Sequence, residues 1–137
     1  MAAGYSGTPL PKKLGIKDGS TLLVFGAPNG LDLPDAPSGK TNDVVVSFHT
    51  ARSDLERAVS KLLAVLDVDG GLWICWPKKA SKVPTDITED TVRDVFLPLG
   101  LVDNKVCAVD DVWSGLRVVW RKELRATRRA FSATPPG

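Results

Sequence analysis

The sequence predicts an α/β fold: a small mixed, mostly parallel sheet of about five strands, closed by an antiparallel hairpin. Three observations predict it. Residues 21–25 and 72–76 are short apolar runs without polar alternation, as in strands buried on both faces. Amphipathic helical stripes separate the strand segments, which implies parallel pairing through right-handed crossovers. The last two strand segments are joined by a short connection, which suits a hairpin.

In chain order, Thr8 can cap a short helix, with Pro9 at its first position, Leu10 and Leu14 one turn apart, and Gly15 past its end. Residues 17–20 read as a turn and residues 21–25 as the first strand, ending at Gly26. Residues 27–42 show almost no periodicity and carry Pro28, Pro34 and Pro37, a loop length that is uncommon without a task. Residues 43–48 are rich in β-branched side chains and read as the second strand. Ser53 and Glu56 have the spacing of a capping box, followed by the stripe Leu55, Val59, Leu62, Leu63 and Leu66, with a stop before Gly70 and Gly71.

The third strand is residues 72–76, ended by Pro77, which cannot donate to a central ladder. A polar loop over 78–86 leads to a helix capped by Thr88, with Glu89 and Asp90 in its first turn. Val92, Val95, Phe96 and Leu99 form its apolar face, and Pro98 ends it near Leu97. Residues 105–109 and 116–120 are the last strands, with Trp113, Ser114 and Gly115 as their connection. Beyond Lys122 the sequence permits a helix over 123–130 and then a disordered end. The division expected is one domain over 1–122 and a basic, flexible tail over 123–137.

Composition excludes several classes. No apolar run approaches the roughly 20 residues of a membrane span, and the first residues lack the pattern of a secretory signal. Cys75 and Cys107 lie in apolar runs, 32 positions apart, without a second ligand at metal spacing. They read as two buried thiols in a reducing compartment, so a cytoplasmic protein is expected. His49 is the single histidine, which rules out a multi-histidine metal site. The formal charge of +2 divides unevenly: residues 1–120 hold 13 basic and 15 acidic side chains, and residues 121–137 hold five basic ones and Glu123. A basic tail on an acidic body is a weak signal, and nucleic-acid binding is not expected.

The order of elements resembles the later half of a class I methyltransferase domain, which implies a Rossmann-like sheet in the order 1-2-3-5-4. Residues 4–10 with 12–16, 76–80 with 83–86, and 97–103 with 105–107 are also similar to a family of small bacterial proteins, domain of unknown function three thousand and fifty-two. That likeness spans about residues 4–122 and implies no activity. A methyltransferase needs a glycine-rich turn that opens a helix and an acidic residue after the next strand. Here Gly26 and Gly30 flank Pro28, no helical pattern follows, and the cofactor motif is incomplete. No cofactor, no metal and no catalytic set are expected, and methyl transfer is not.

In open α/β sheets, ligands bind beyond the carboxyl ends of the strands. Four loops are expected to meet there, carrying Gly26, Asn29, His49, Trp76, Lys78, Lys79, Lys82, Asp86, Asp110, Asp111, Trp113 and Ser114. Lys78, Lys79 and Lys82 beside Trp76 suit a phosphate or carboxylate next to a planar ring; the alternative is a solvated basic loop with Trp76 in the core. Asp110 and Asp111 could bind a cation or act as a base, or simply form the turn. His49 could carry a proton, or close its loop by a hydrogen bond. Trp113 at a hairpin tip would be an exposed platform or an oligomer contact. The function expected is a non-enzymatic or regulatory module binding a small anionic or nucleotide-like ligand. The alternatives are a self-associating interaction module, such as a homodimer, and an enzyme using His49 or Asp110 and Asp111.

Overall fold

A computed structural model describes residues 9–133, with side-chain surroundings for residues 9–128. Five strands form one sheet: β1 (Leu22–Phe25), β2 (Asn42–Phe48), β3 (Leu66–Pro77), β4 (Leu101–Ala108) and β5 (Trp113–Trp120). Its order is β1-β2-β3-β5-β4, the expected one. β1, β2 and β3 run parallel, whereas β5 is antiparallel to both β3 and β4.

Strand alternation divides the core in two. Val45, Leu72, Ile74, Trp76, Leu116, Val118 and Trp120 pack under α2 (Arg52–Val65) and α3 (Glu89–Phe96). Val44, Val46, Phe48, Trp73, Cys75 and Val109 pack on the other side, with Leu14 of α1 (Leu10–Leu14). The loop between β1 and β2 lines that second side through Leu31, Leu33 and Ala36, and Pro37 accepts the Leu22 N–H at 2.9 Å. Trp73, fully buried, donates its indole N–H to the Leu14 carbonyl at 3.0 Å, which fastens α1 to the sheet.

Several local expectations are corrected. Thr8 lies outside the described residues, and α1 has Pro9 at its N-cap without a side-chain bond; Gly15 ends it at φ 80° as expected. The capping box of Ser53 and Glu56 does not form, because α2 already begins at Arg52, behind Ala51. The acceptor comes from elsewhere: Asp86 Oδ1 takes the Arg52 N–H at 2.7 Å. Leu66 opens β3 rather than closing α2, and Gly70 and Gly71 lie inside that strand. Glycine is needed there, since a Cβ on Gly70 would come within 2.7 Å of the Asn42 carbonyl oxygen, beside the register shift in β2.

The capping of α3 is as expected, with Thr88 and Thr91 bonded reciprocally. A single 3₁₀ turn, Leu97–Leu99, follows it, and Leu99 is exposed at 46% rather than part of the apolar face. β4 begins four residues earlier than expected, at Leu101. Trp113, Ser114 and Gly115 belong to β5, and the turn is formed by 109–112. Asp110 makes that turn, because its Oδ1 accepts the N–H groups of Val112 and Trp113 at 2.8 and 2.7 Å. The basic segment forms α4 (Lys122–Ala133), whose Leu124 packs on the first core cluster. Arg128 stacks 3.8 Å above the Trp120 ring, and Arg125 Nε donates to the Trp120 carbonyl at 2.9 Å. No helix among the described residues is long and apolar enough to cross a membrane.

Candidate functional site

Parallel crossovers put the carboxyl ends of β1, β2 and β3 at one edge of the sheet, together with the β4–β5 turn. The same crossovers bring the N-termini of α2 and α3 to that edge. Pro77, the last residue of β3, pairs with Trp113, and the Lys78 N–H is held by the Val112 carbonyl at 2.7 Å. The loop then folds into a 3₁₀ turn, Lys79–Ser81, in which the Ser81 hydroxyl donates to the Lys78 carbonyl at 2.6 Å.

An open groove of about 530 Å³ lies on the α3 side of this edge, lined by Trp76, Lys78, Lys79, Ser114 and the first turns of α3. Trp76 and Ser114 are register partners on β3 and β5, so the groove floor is the sheet itself. On the far wall, Arg93 bonds Glu89 and Asp90 at 3.0 Å each and Asp103 at 3.2 Å. These carboxylates hold the guanidinium pKa up, Asp103 most of all. Neither the Lys78 nor the Lys79 ammonium forms an ion pair or hydrogen bond among the described residues. The groove therefore has one wall on which a single guanidinium is shared by three carboxylates, and one of cations without a partner.

The remaining candidates lie elsewhere. Lys82 ends the 3₁₀ turn in the left-handed region at φ 63° and does not line the groove. Asp86 is spent on the α2 N-terminus. Asp110 joins Gly30 in a second groove of about 380 Å³ on the α1 side, with Pro9, Leu10, Pro11 and Val109. Asp111 and Asn29 are exposed. Gly26, at φ 69°, stands where a Cβ would come within 3.2 Å of the Phe48 carbonyl oxygen. Trp113 is half-buried, not a tip residue, and meets Phe48 edge to face at 5.2 Å. Trp76 is only 6% exposed. The edge is thus two grooves divided by the sheet, and Lys78, Lys79, Trp76 and Ser114 are the candidates brought together.

His49 is buried at 6% exposure within a hydrogen-bonded chain. Its Nδ1 lies 2.7 Å from Asp54 Oδ2, and its Nε2 lies 2.5 Å from the Ser47 hydroxyl. A carboxylate can only accept, so Nδ1–H donates to Asp54, and in the neutral ring Nε2 accepts from Ser47. This is the bond order of a serine nucleophile with its base, but Ser47 is 0% exposed, and a nucleophile must reach its substrate. The chain instead satisfies two buried polar groups and ties β2 to the start of α2.

Sequence reading missed Ser47 and Asp54, and it missed Thr88, Glu89, Asp90 and Arg93 as groove residues. Ser47 in β2 and His49 just past its end are two apart along extended chain, a spacing that alternation places on one side. Among the described residues no group of acidic, histidine or cysteine side chains could hold a metal ion.

No protein-family model matches this chain, and no curated protein matches it. Several solved structures are similar, among them these two. One is a protein assigned as a type 11 methyltransferase from Sulfolobus solfataricus, with 15% identity over 62% of this chain and 53% of that one, at a TM-score of 0.48. The other is a ribosomal protein L11 methylase from Lactobacillus delbrueckii subsp. bulgaricus, with 12% identity over 59% of this chain and 37% of that one, at 0.42. The chain therefore corresponds to about half of the first and just over a third of the second. At these scores the likenesses add nothing to the functional argument, and the strand order rests on the pairing above.

Proposed function

We propose that the protein is a non-enzymatic binding module that holds a small anionic ligand in the groove between Lys78, Lys79 and the start of α3. The observation that carries this is the charge pattern of the groove. Glu89 and Asp90 are held by Arg93, which leaves two cations on the opposite wall without a partner. A carboxylate or phosphate placed there gains charge-assisted bonds without competing with an internal acid. Ser114 can orient such a group from the floor. The buried ring of Trp76 supplies a floor rather than a stacking platform, which favours a compact anion over a nucleotide-like one.

We further place the protein in the small bacterial family that its sequence resembles, and in the cytoplasm, where two free thiols are stable. Thermal-shift screening against phosphate, pyrophosphate and small dicarboxylates tests the proposal. At least one is expected to raise Tm, and Lys78→Ala with Lys79→Ala is expected to remove most of that rise. An unchanged rise in the double variant would overturn it.

A further inference from the structure

A second cationic site lies on the other side of the sheet, in its β4–β5 half. Leu116, Val118 and Trp120 face α2 and α3, so alternation turns Arg117 to the α1 side. There it stands in register between Trp73 of β3 and Lys105 of β4. Its guanidinium lies across β3 onto Gly71, where any Cβ would collide with Nε, Cζ and Nη2. Gly71 is therefore the surface on which the guanidinium rests.

Arg117 is half-buried, yet it forms no hydrogen bond or ion pair among the described residues. Its strongest charged neighbour is another cation. Burial pushes its pKa down, and Arg125 pushes it further in the same direction. Residues 1–8 and 129–137 contain no Asp or Glu, so no acidic side chain from those segments supplies the partner. Lys13 and Lys105 are on the same side, where both act on Cys107. A half-buried guanidinium without an anion destabilises a fold, and native proteins rarely keep one without a use.

We propose that Arg117, with Lys105 in register beside it, seats the phosphate group of a small ligand, at a site separate from the Lys78 groove. The guanidinium fork can meet two phosphate oxygens at once, and neighbouring cations favour a dianion over a single carboxylate.

Inorganic pyrophosphate is the probe, followed by the side-chain Nε–H resonance of Arg117 in the full chain. Titration is expected to shift that resonance to saturation. Arg117→Gln should weaken binding at this site at least about tenfold, and Arg117→Lys should weaken it less, because charge remains and the fork is lost. Lys78→Ala with Lys79→Ala should leave the Arg117 shift intact, which separates this site from the groove. Without pyrophosphate, Arg117→Gln should melt no lower than the parent, since it removes an unmatched charge. An unmoved Arg117 resonance, equal affinity in Arg117→Gln, or a lower melting temperature for ligand-free Arg117→Gln would each overturn the proposal. If Arg117→Gln does not fold, it too points to a structural role and counts against it.

Discussion

Asp86 caps a helix from across the sheet edge: its Oδ1 accepts the Arg52 backbone N–H at 2.7 Å. The two residues are 34 positions apart, yet the bond does what a local N-cap side chain would do. Thr85 reinforces the same junction, with its hydroxyl donating to the Thr50 carbonyl at 2.6 Å. The loop that carries Lys78 and Lys79 is thereby anchored to the start of α2. Asp86→Ala is expected to lower stability by about 1 kcal/mol, and Ser53→Ala by little, as measured by urea unfolding. The opposite ranking would restore Ser53 as the cap.

The chain of Ser47, His49 and Asp54 predicts an unequal pair of mutations. Ser47→Ala leaves a buried ring nitrogen without a partner and should lower stability by about 1–3 kcal/mol. Asp54 is 56% exposed on its side chain, so water can replace it, and Asp54→Ala should cost less. Equal losses in urea unfolding would show that burial does not rank these bonds.

Cys75 predicts a pH dependence. Burial raises its thiol pKa well above the ordinary 9.0, and Cys107 and Asp110 add to the rise. The folded chain keeps a proton that the unfolded chain gives up. The resulting stability is complete below pH 9.0 and is lost as pH rises toward the folded value. Between about pH 8 and about pH 10 the parent should lose more stability than Cys75→Ala in paired urea titrations. An equal loss in both would contradict the assignment.

α4 predicts a separation between stability and ligand binding. Leu124 packs on the core, and Gly100 leaves room for it: a Cβ there would lie 2.5 Å from Leu124 Cδ1. Removing residues 123–137 should lower Tm while leaving the response of the Lys78 groove to anions in place. Loss of that response at a temperature where the truncated chain is folded would tie α4 to the groove.

Much of the sheet was legible in the sequence because its strands are continuous apolar runs and its helices carry clear stripes. The errors share a cause. Gly70 and Gly71 read as a break, but they are strand residues whose missing side chains admit the β2 backbone and the Arg117 guanidinium. Ser53 and Glu56 read as a cap because the true acceptor, Asp86, arrives from another loop. Trp113, Ser114 and Gly115 read as a turn, although Asp110 makes the turn one step earlier. At the candidate site, Lys78 and Lys79 were visible as a cluster. The opposite wall was not, since Arg93 and its acids come from a helix about ten residues further on and look locally like ordinary intrahelical pairs.

Anion binding in the groove bounded by Lys78, Lys79 and Ser114 can be read residue by residue. Its most direct test is a backbone amide map of the full chain titrated with inorganic phosphate. Saturable shifts are expected to cluster on residues 78–81, Ser114 and the start of α3, and to be lost in Lys78→Ala with Lys79→Ala. Shifts absent from those residues at saturating phosphate, or unchanged in the double variant, would contradict it.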